Sequence, residues 1–280
     1  MSRTPPEKTA PGKTALIAGT GALPAALWPQ LGPDAVLAEM DGFPSDVAGA
    51  VPIRFRLERL VPFMQQLEDM GVTRVTFAGA VRRPRLDPEA FDARTASLVP
   101  RLIGAIGQGD DAALRAVIAL FEEFGFAVAG LAEIAPDLVP GPGVLAGKPS
   151  DADARDAARA AQIVEGLGGL DLGQGAVVAQ GLCLAVETLP GTDAMLDFTA
   201  RHAALRPDPK GARGVIYKAP KPGQDRRIDL PAIGPDTVAR AAAAGLAGIV
   251  WQAGGAVLLD RDATIAAADA AGIFLWARAA

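Results

Sequence analysis

TALIAGTGALP, from Thr14 to Pro24, is a short apolar run that breaks at two glycines and resumes as a helical stretch in AALWPQL. A strand, a glycine turn and a helix in that order open a parallel βαβ unit. Working outward, AVLAEM and VPIRFRL read as strands, LVPFMQQLEDMG as a helix, RVTFAGAV as a strand and Asp110 to Phe124 as a helix. Strands alternating with helices predict an α/β fold with a doubly wound, Rossmann-like parallel sheet.

A stretch dense in proline and glycine, PDLVPGPGVLAGKPS from Pro136 to Ser150, marks a boundary or an ordered crossover. A second α/β set follows. It holds a helix from Asp151 to Leu167, a hairpin in AVVAQGLCLAVE, a turn and helix in PGTDAMLDFTAR, the strand GVIYKA and a helix from Pro235 to Ala244. Short strands near GIVWQ and AVLLD, the helix RDATIAAADAAG and the strand IFLWA complete it. The expected organisation is a disordered tail over residues 1–12, an N-terminal Rossmann-like domain over 13–140 and a C-terminal α/β catalytic domain over 141–280.

Half of the 280 residues are hydrophobic, but charge is interspersed among them, and no run approaches the roughly 20 apolar residues of a membrane span. The N-terminus lacks the apolar region and cleavage site of a signal peptide. A net charge of −5 with the two signs mixed offers no footprint for nucleic acid. The single cysteine, Cys183, allows no internal disulfide, suits a reducing cytoplasm and is expected as a small buried hydrophobe. The single histidine, His202, is read as surface structure beside a helix end. It cannot build a zinc site alone, and Ser-His or Cys-His catalysis would have to run through it. Carboxylates and lysines are left to do the chemistry.

In the N-terminal half, the Gly19-Thr20-Gly21 turn would let backbone N–H groups approach a phosphate at a helix N-terminus. A tight turn without a ligand explains it as well, because Pro24 stands where the dinucleotide fingerprint wants a third glycine, although Asp41 lies about where a ribose-binding acid would. Gly79 and Ala80 end a strand before Arg82 and Arg83, which could face the same crevice or form a solvated basic loop. Asp110 and Asp111 open a helix, where acids complement the dipole, with a cation or sugar contact as the alternative.

The C-terminal half is denser. Asp171-Leu172-Gly173-Gln174-Gly175 leads into a strand, the following strand ends at Glu187, and Thr192 or Asp193 can cap the next helix. The segment from Lys218 to Gly234, KAPKPGQDRRIDLPAIG, packs two lysines, two arginines and two aspartates into a proline-stiffened loop. Lysines suit phosphates and aspartates suit magnesium, the pair that pyrophosphate hydrolysis needs to neutralise developing charge and to place water or metal.

These segments, from Lys13 to Trp276, resemble the LpxI-type UDP-2,3-diacylglucosamine pyrophosphatases of lipid A synthesis. ALIAGTGALP, FAGAVRRP, GDDAALR, LDLGQGAVVAQGLCLAVE, GTDAML, KAPKPGQDRRIDLPAIG and AGLAGIVWQAG occur in the family's order. The resemblance implies a cytoplasmic hydrolase with Mg2+, Mn2+ being the alternative ion, that splits UDP-2,3-diacylglucosamine into UMP and 2,3-diacylglucosamine 1-phosphate. Water would attack the sugar-side phosphorus. The resemblance further implies two α/β domains with the lipid product in a cleft between them, peripheral contact with the inner membrane, and compatibility with a homodimer. It places catalysis on Asp229, in Arg227-Ile228-Asp229-Leu230-Pro231, with Lys218 and Lys221. Substrate contacts fall on Gly19, Gly21, Gly79, Ala80, Gly175, Glu187, Thr192, Asp193, Gln224 and Arg227, and metal contacts on Asp229, Asp193 and Asp225. Ala80, where asparagine is common, and Gly223, where a larger apolar residue is common, depart from the family. Two other readings stand beside it: a dinucleotide-dependent oxidoreductase and a non-catalytic nucleotide-binding module, both using the Gly19-Thr20-Gly21 turn.

Overall fold

The computed structural model describes residues 12–81, 85–107 and 109–279, and the chain divides into two compact units between Gly130 and Leu131. In the first unit, β1 (Lys13–Ala18), β2 (Val36–Met40), β3 (Ile53–Phe55), β4 (Val72–Ala78) and β5 (Ala127–Val128) form one parallel sheet in the order β3-β2-β1-β4-β5. Its helices are α1 (Ala22–Leu27), α2 (Leu60–Asp69), α3 (Ala93–Ala96), α4 (Val99–Ile106) and α5 (Asp110–Glu123). The unbroken apolar run Ala15–Ala18 is buried throughout, as a parallel strand covered on both faces must be.

Helix α2 turns Leu60, Phe63, Met64 and Leu67 inward at three- and four-residue spacing. Phe63 stacks on Phe55 with ring centroids 4.0 Å apart and meets Phe121 of α5 edge-on. Leu67 is fully buried there, so Leu67→Ala would cost about 2–5 kcal/mol. Strand order reverses between β1 and β4, whose carboxyl ends lie side by side. Arg82 and Arg83 fall outside the described residues.

The second unit contains β6 (Gly143–Ala146), β7 (Gly175–Ala179), β8 (Leu182–Val186), β9 (Val215–Lys218), β10 (Ala232–Ile233), β11 (Gly248–Gln252), β12 (Val257–Leu258) and β13 (Phe274–Arg278). Its helices are α6 (Leu131–Ile134), α7 (Asp151–Gly169), α8 (Gly191–Arg201), α9 (Pro235–Ala243) and α10 (Arg261–Ala271). Six strands lie in the order β6-β13-β11-β9-β7-β8, and β10 pairs with β12. The centre is parallel, but β7 runs against both β9 and β8, and β6 runs against β13. Ala157, Ala160 and Val164 of α7 pack with Val215 and Tyr217 on one face. Met195 and Leu196 of α8, Val238 and Ala241 of α9 and Ala268 of α10 pack with Ile216 on the other. Lys218, two residues after Ile216, therefore emerges on the α8 side.

Local chemistry fixes two joints. Ser150 caps α7 in a reciprocal box with Asp153, its Oγ 3.3 Å from the Asp153 amide and the Asp153 carboxylate 2.9 Å from its own. The β7–β8 hairpin turns at Gln180 and Gly181, both at positive φ, as a two-residue turn of its twist requires. Buried Asp156 of α7 accepts both turn amides, at 3.0 and 2.7 Å, which ties the hairpin to the helix.

One element is added and one expectation is corrected. The proline-glycine stretch hides β6, an edge strand with Val144 exposed, so no apolar alternation announces it. Cys183 is exposed rather than buried, because β8 is the opposite edge strand and Cys183 stands beside its turn. His202 is exposed at the end of α8, its ring 4.3 Å from Phe198. Among the described residues, no helix is long and apolar enough to cross a membrane.

Candidate active site

Because β7 is antiparallel to β9, the start of one strand meets the end of the other, and Gly175 is paired with Lys218. The amide of Glu187 donates to the Gly175 carbonyl at 2.8 Å, which carries the β7–β8 ladder one residue further. Three chain segments thereby converge on Lys218. Its Nζ donates to Thr192 Oγ1 at 2.6 Å and lies 3.7 Å from Glu187 Oε2, while the Thr192 hydroxyl donates to that same oxygen at 3.0 Å. Lys218 is only 3% exposed and Glu187 7%. Burial pushes the ammonium below the ordinary lysine range, while the charges of Glu187 and Asp193 push back.

The glycines of Gly173-Gln174-Gly175 make room for Glu187. A Cβ on Gly173 would overlap the Glu187 carbonyl oxygen, and one on Gly175 would lie 2.5 Å from Oε2. Thr192 does not cap α8, which has no side-chain cap; it sits in the first turn and turns its hydroxyl to Glu187. Asp193 lies 3.4 Å from Arg240 Nε of α9.

The proline-rich loop continues from β9. Lys221 pairs with Asp171, and the ring of Pro222 packs where a Cβ on Gly168 would stand. The buried Gln224 side chain accepts from the Lys221 amide at 2.7 Å and so closes the turn. Arg227 Nε and Nη2 grip the Asp225 carboxylate at 3.0 and 2.7 Å, and Asp225 in turn accepts from the Asp229 amide through its carbonyl at 3.0 Å. The Arg227 carbonyl accepts from the Leu131 amide at 2.7 Å, and Asp229 is half-buried.

Asp193, Asp225 and Asp229 do not form a protein-built metal cage. Asp193 and Asp225 each face an arginine, and among the described residues no group of three or more His, Cys, Asp or Glu side chains is placed to hold an ion.

Gly19, Gly21, Gly79 and Ala80 belong to the first unit. The Gly19 amide donates to Ala78, the Thr20 amide to Ala80 and the Ala80 amide to Thr20, at 2.8, 3.0 and 2.9 Å. These N–H groups fasten the ends of β1 and β4 together. A Cβ on Gly19 would lie 2.6 Å from the Ala80 carbonyl oxygen, and one on Gly79 2.7 Å from the Gly19 carbonyl carbon. Gly21 is exposed at the start of the six-residue α1.

Residues 13–138 match the family described as LpxI N-terminal domain, and residues 141–276 match LpxI C-terminal domain. The chain belongs to the LpxI family. It is also 47% identical over 208 residues to the UDP-2,3-diacylglucosamine pyrophosphatase LpxI of Caulobacter vibrioides, an alignment covering 73% of this chain and 74% of that one. The LpxI C-terminal match contains Lys218, Glu187, Thr192 and the whole of the Lys221–Asp229 loop. Sequence reasoning passed over Asp171 as the partner of Lys221 and Arg240 as the partner of Asp193. Those partners stand 50 and 47 positions away in the chain, beyond any local periodicity.

Proposed function

We propose that this chain hydrolyses the pyrophosphate of UDP-2,3-diacylglucosamine to UMP and 2,3-diacylglucosamine 1-phosphate, a step of lipid A biosynthesis. Membership of the LpxI family and the pyrophosphatase named among its relatives support the reaction. The observation that carries the site is Lys218. It is a buried ammonium with three donors, one of which meets Thr192, and it lies 3.7 Å from Glu187 Oε2. Glu187 balances its charge, and a phosphate oxygen would meet the donors that Thr192 leaves over.

Lys218 and Lys221 then hold the pyrophosphate and neutralise charge as the P–O bond to UMP breaks. Asp229 orients the water that adds to the sugar-side phosphorus, and the water proton leaves through the carboxylate to solvent. Gln224 and Arg227 shape the loop that presents Asp229. Mg2+, or Mn2+ in its place, would be held by Asp229. There it would supply charge neutralisation. The two acyl chains of the substrate place the reaction at the cytoplasmic face of the inner membrane, which the chain meets peripherally.

The test is UMP release from UDP-2,3-diacylglucosamine by wild type and Asp229→Asn, with Mg2+ and with EDTA. Asp229→Asn is expected to lose about 100-fold or more in kcat while folding normally. A folded wild type that releases no UMP with any divalent ion would sink the assignment.

A further inference from the structure

Resting on the pyrophosphatase reading, we propose that Glu187 is a positioning residue rather than a substrate contact. Together with Thr192 it holds the Lys218 ammonium towards the phosphate, and the Gly173-Gln174-Gly175 turn exists to admit it.

The polarity of the contact is forced by chemistry. An ammonium can only donate and a carboxylate can only accept, so the Thr192 hydroxyl must give its one hydrogen to Glu187 and receive Lys218 on a lone pair. The relay fixes the Nζ position from two sides, and Glu187 Oε2 is the atom that both partners face. An anionic phosphate would be repelled by that carboxylate, whereas the carboxylate compensates the lysine. Two glycines give way to a single glutamate, Gly173 to its backbone and Gly175 to its carboxylate. Among the described residues, the charged groups facing Lys218 are Glu187 after β8 and Asp193 on α8, the latter beside Arg240 of α9. Its strand neighbours, Gly175 on β7 and Trp251 on β11, carry no charge.

Three variants test this. Thr192→Val breaks the relay at nearly constant shape, so kcat should fall about tenfold or more with KM within about threefold, and Thr192→Ser should restore it. Glu187→Gln removes the charge that keeps Lys218 protonated. The alkaline limb of the pH–rate profile should therefore move down by about one pH unit or more, with the acid limb in place. A substrate-contact role predicts a raised KM with both limbs unmoved, and that result overturns the inference. So does a Thr192→Val enzyme with wild-type kcat.

Calorimetric binding of UDP separates this inference from the reaction assignment. If wild type binds UDP without turnover, the reaction assignment fails. The positioning role then still requires that UDP binding in Glu187→Gln be lost on alkalinisation at a pH about one unit or more below that of wild type. Alkaline loss of UDP binding at the same pH in wild type and Glu187→Gln, or no binding by wild type, overturns it.

Discussion

Gly175 faces Lys218 in register across β7 and β9, and the space its missing side chain leaves is filled by the carboxylate of Glu187 that balances the lysine. Gly175→Ala would force that carboxylate or the backbone aside, at a cost of about 1–3 kcal/mol. The urea midpoint should fall, and activity at temperatures where the variant is folded should fall with it. An unchanged midpoint and full activity would show that the cradle is not needed.

Lys218→Met should be more harmful to stability than its matched volume suggests, because it strands Glu187 as a buried unpaired carboxylate. A loss of about 3 kcal/mol is expected. Adding Glu187→Gln should recover much of that stability and none of the activity. If the double variant is as unstable as the single one, the charge balance was not the cause.

The Glu58 carboxyl is held at about 2, against an ordinary 4.5, first by its hydrogen bonds from Arg56 and then by the Asp87 amide, with burial opposing both. A depressed carboxyl stabilises the fold fully above the unfolded value of 4.5 and loses that contribution as pH falls towards about 2. Arg56 is 46% exposed, so solvent screening reduces the effect to about 1 kcal/mol. Urea midpoints of wild type and Glu58→Gln should differ at neutral pH and converge on acidification. A gap that stays constant with pH would rule out the ion pair as its source.

Gly21 and Gly79 have nearly the same dihedral, φ +96 and +92, but a Cβ at 21 meets nothing within 4 Å, while one at 79 reaches the Gly19 backbone at 2.7 Å. Alanine should cost about 1 kcal/mol at 21, from the dihedral alone, and about 2–3 kcal/mol at 79, where the backbone contact adds to it. Equal losses in chemical denaturation would mean that the β1 and β4 ends can part without cost.

Much of the fold was legible locally. The apolar Ala15–Ala18 run ending in glycine marked a buried parallel strand, and the Gln180-Gly181 pair between two apolar runs marked the hairpin. Edge strands were harder, since one face and one margin of such a strand meet solvent. Without a solid apolar pattern, β6 escaped notice and Cys183 was assigned to the core.

The site divides in the same way. The sequence by itself determined the charged residues, the proline-stiffened loop that carries Asp229 and the order of motifs that marks the LpxI family, because these are properties of neighbours along the chain. Only the tertiary structure decided that Lys218 is buried against Thr192 and Glu187, that Lys221 belongs to Asp171, and that Asp193 and Asp225 face arginines. Those pairings follow from the antiparallel crossing of β7 and β9 and from helices packed on the sheet. Hydrogen bonds and Coulomb forces act over a few ångströms of space whatever the separation in sequence.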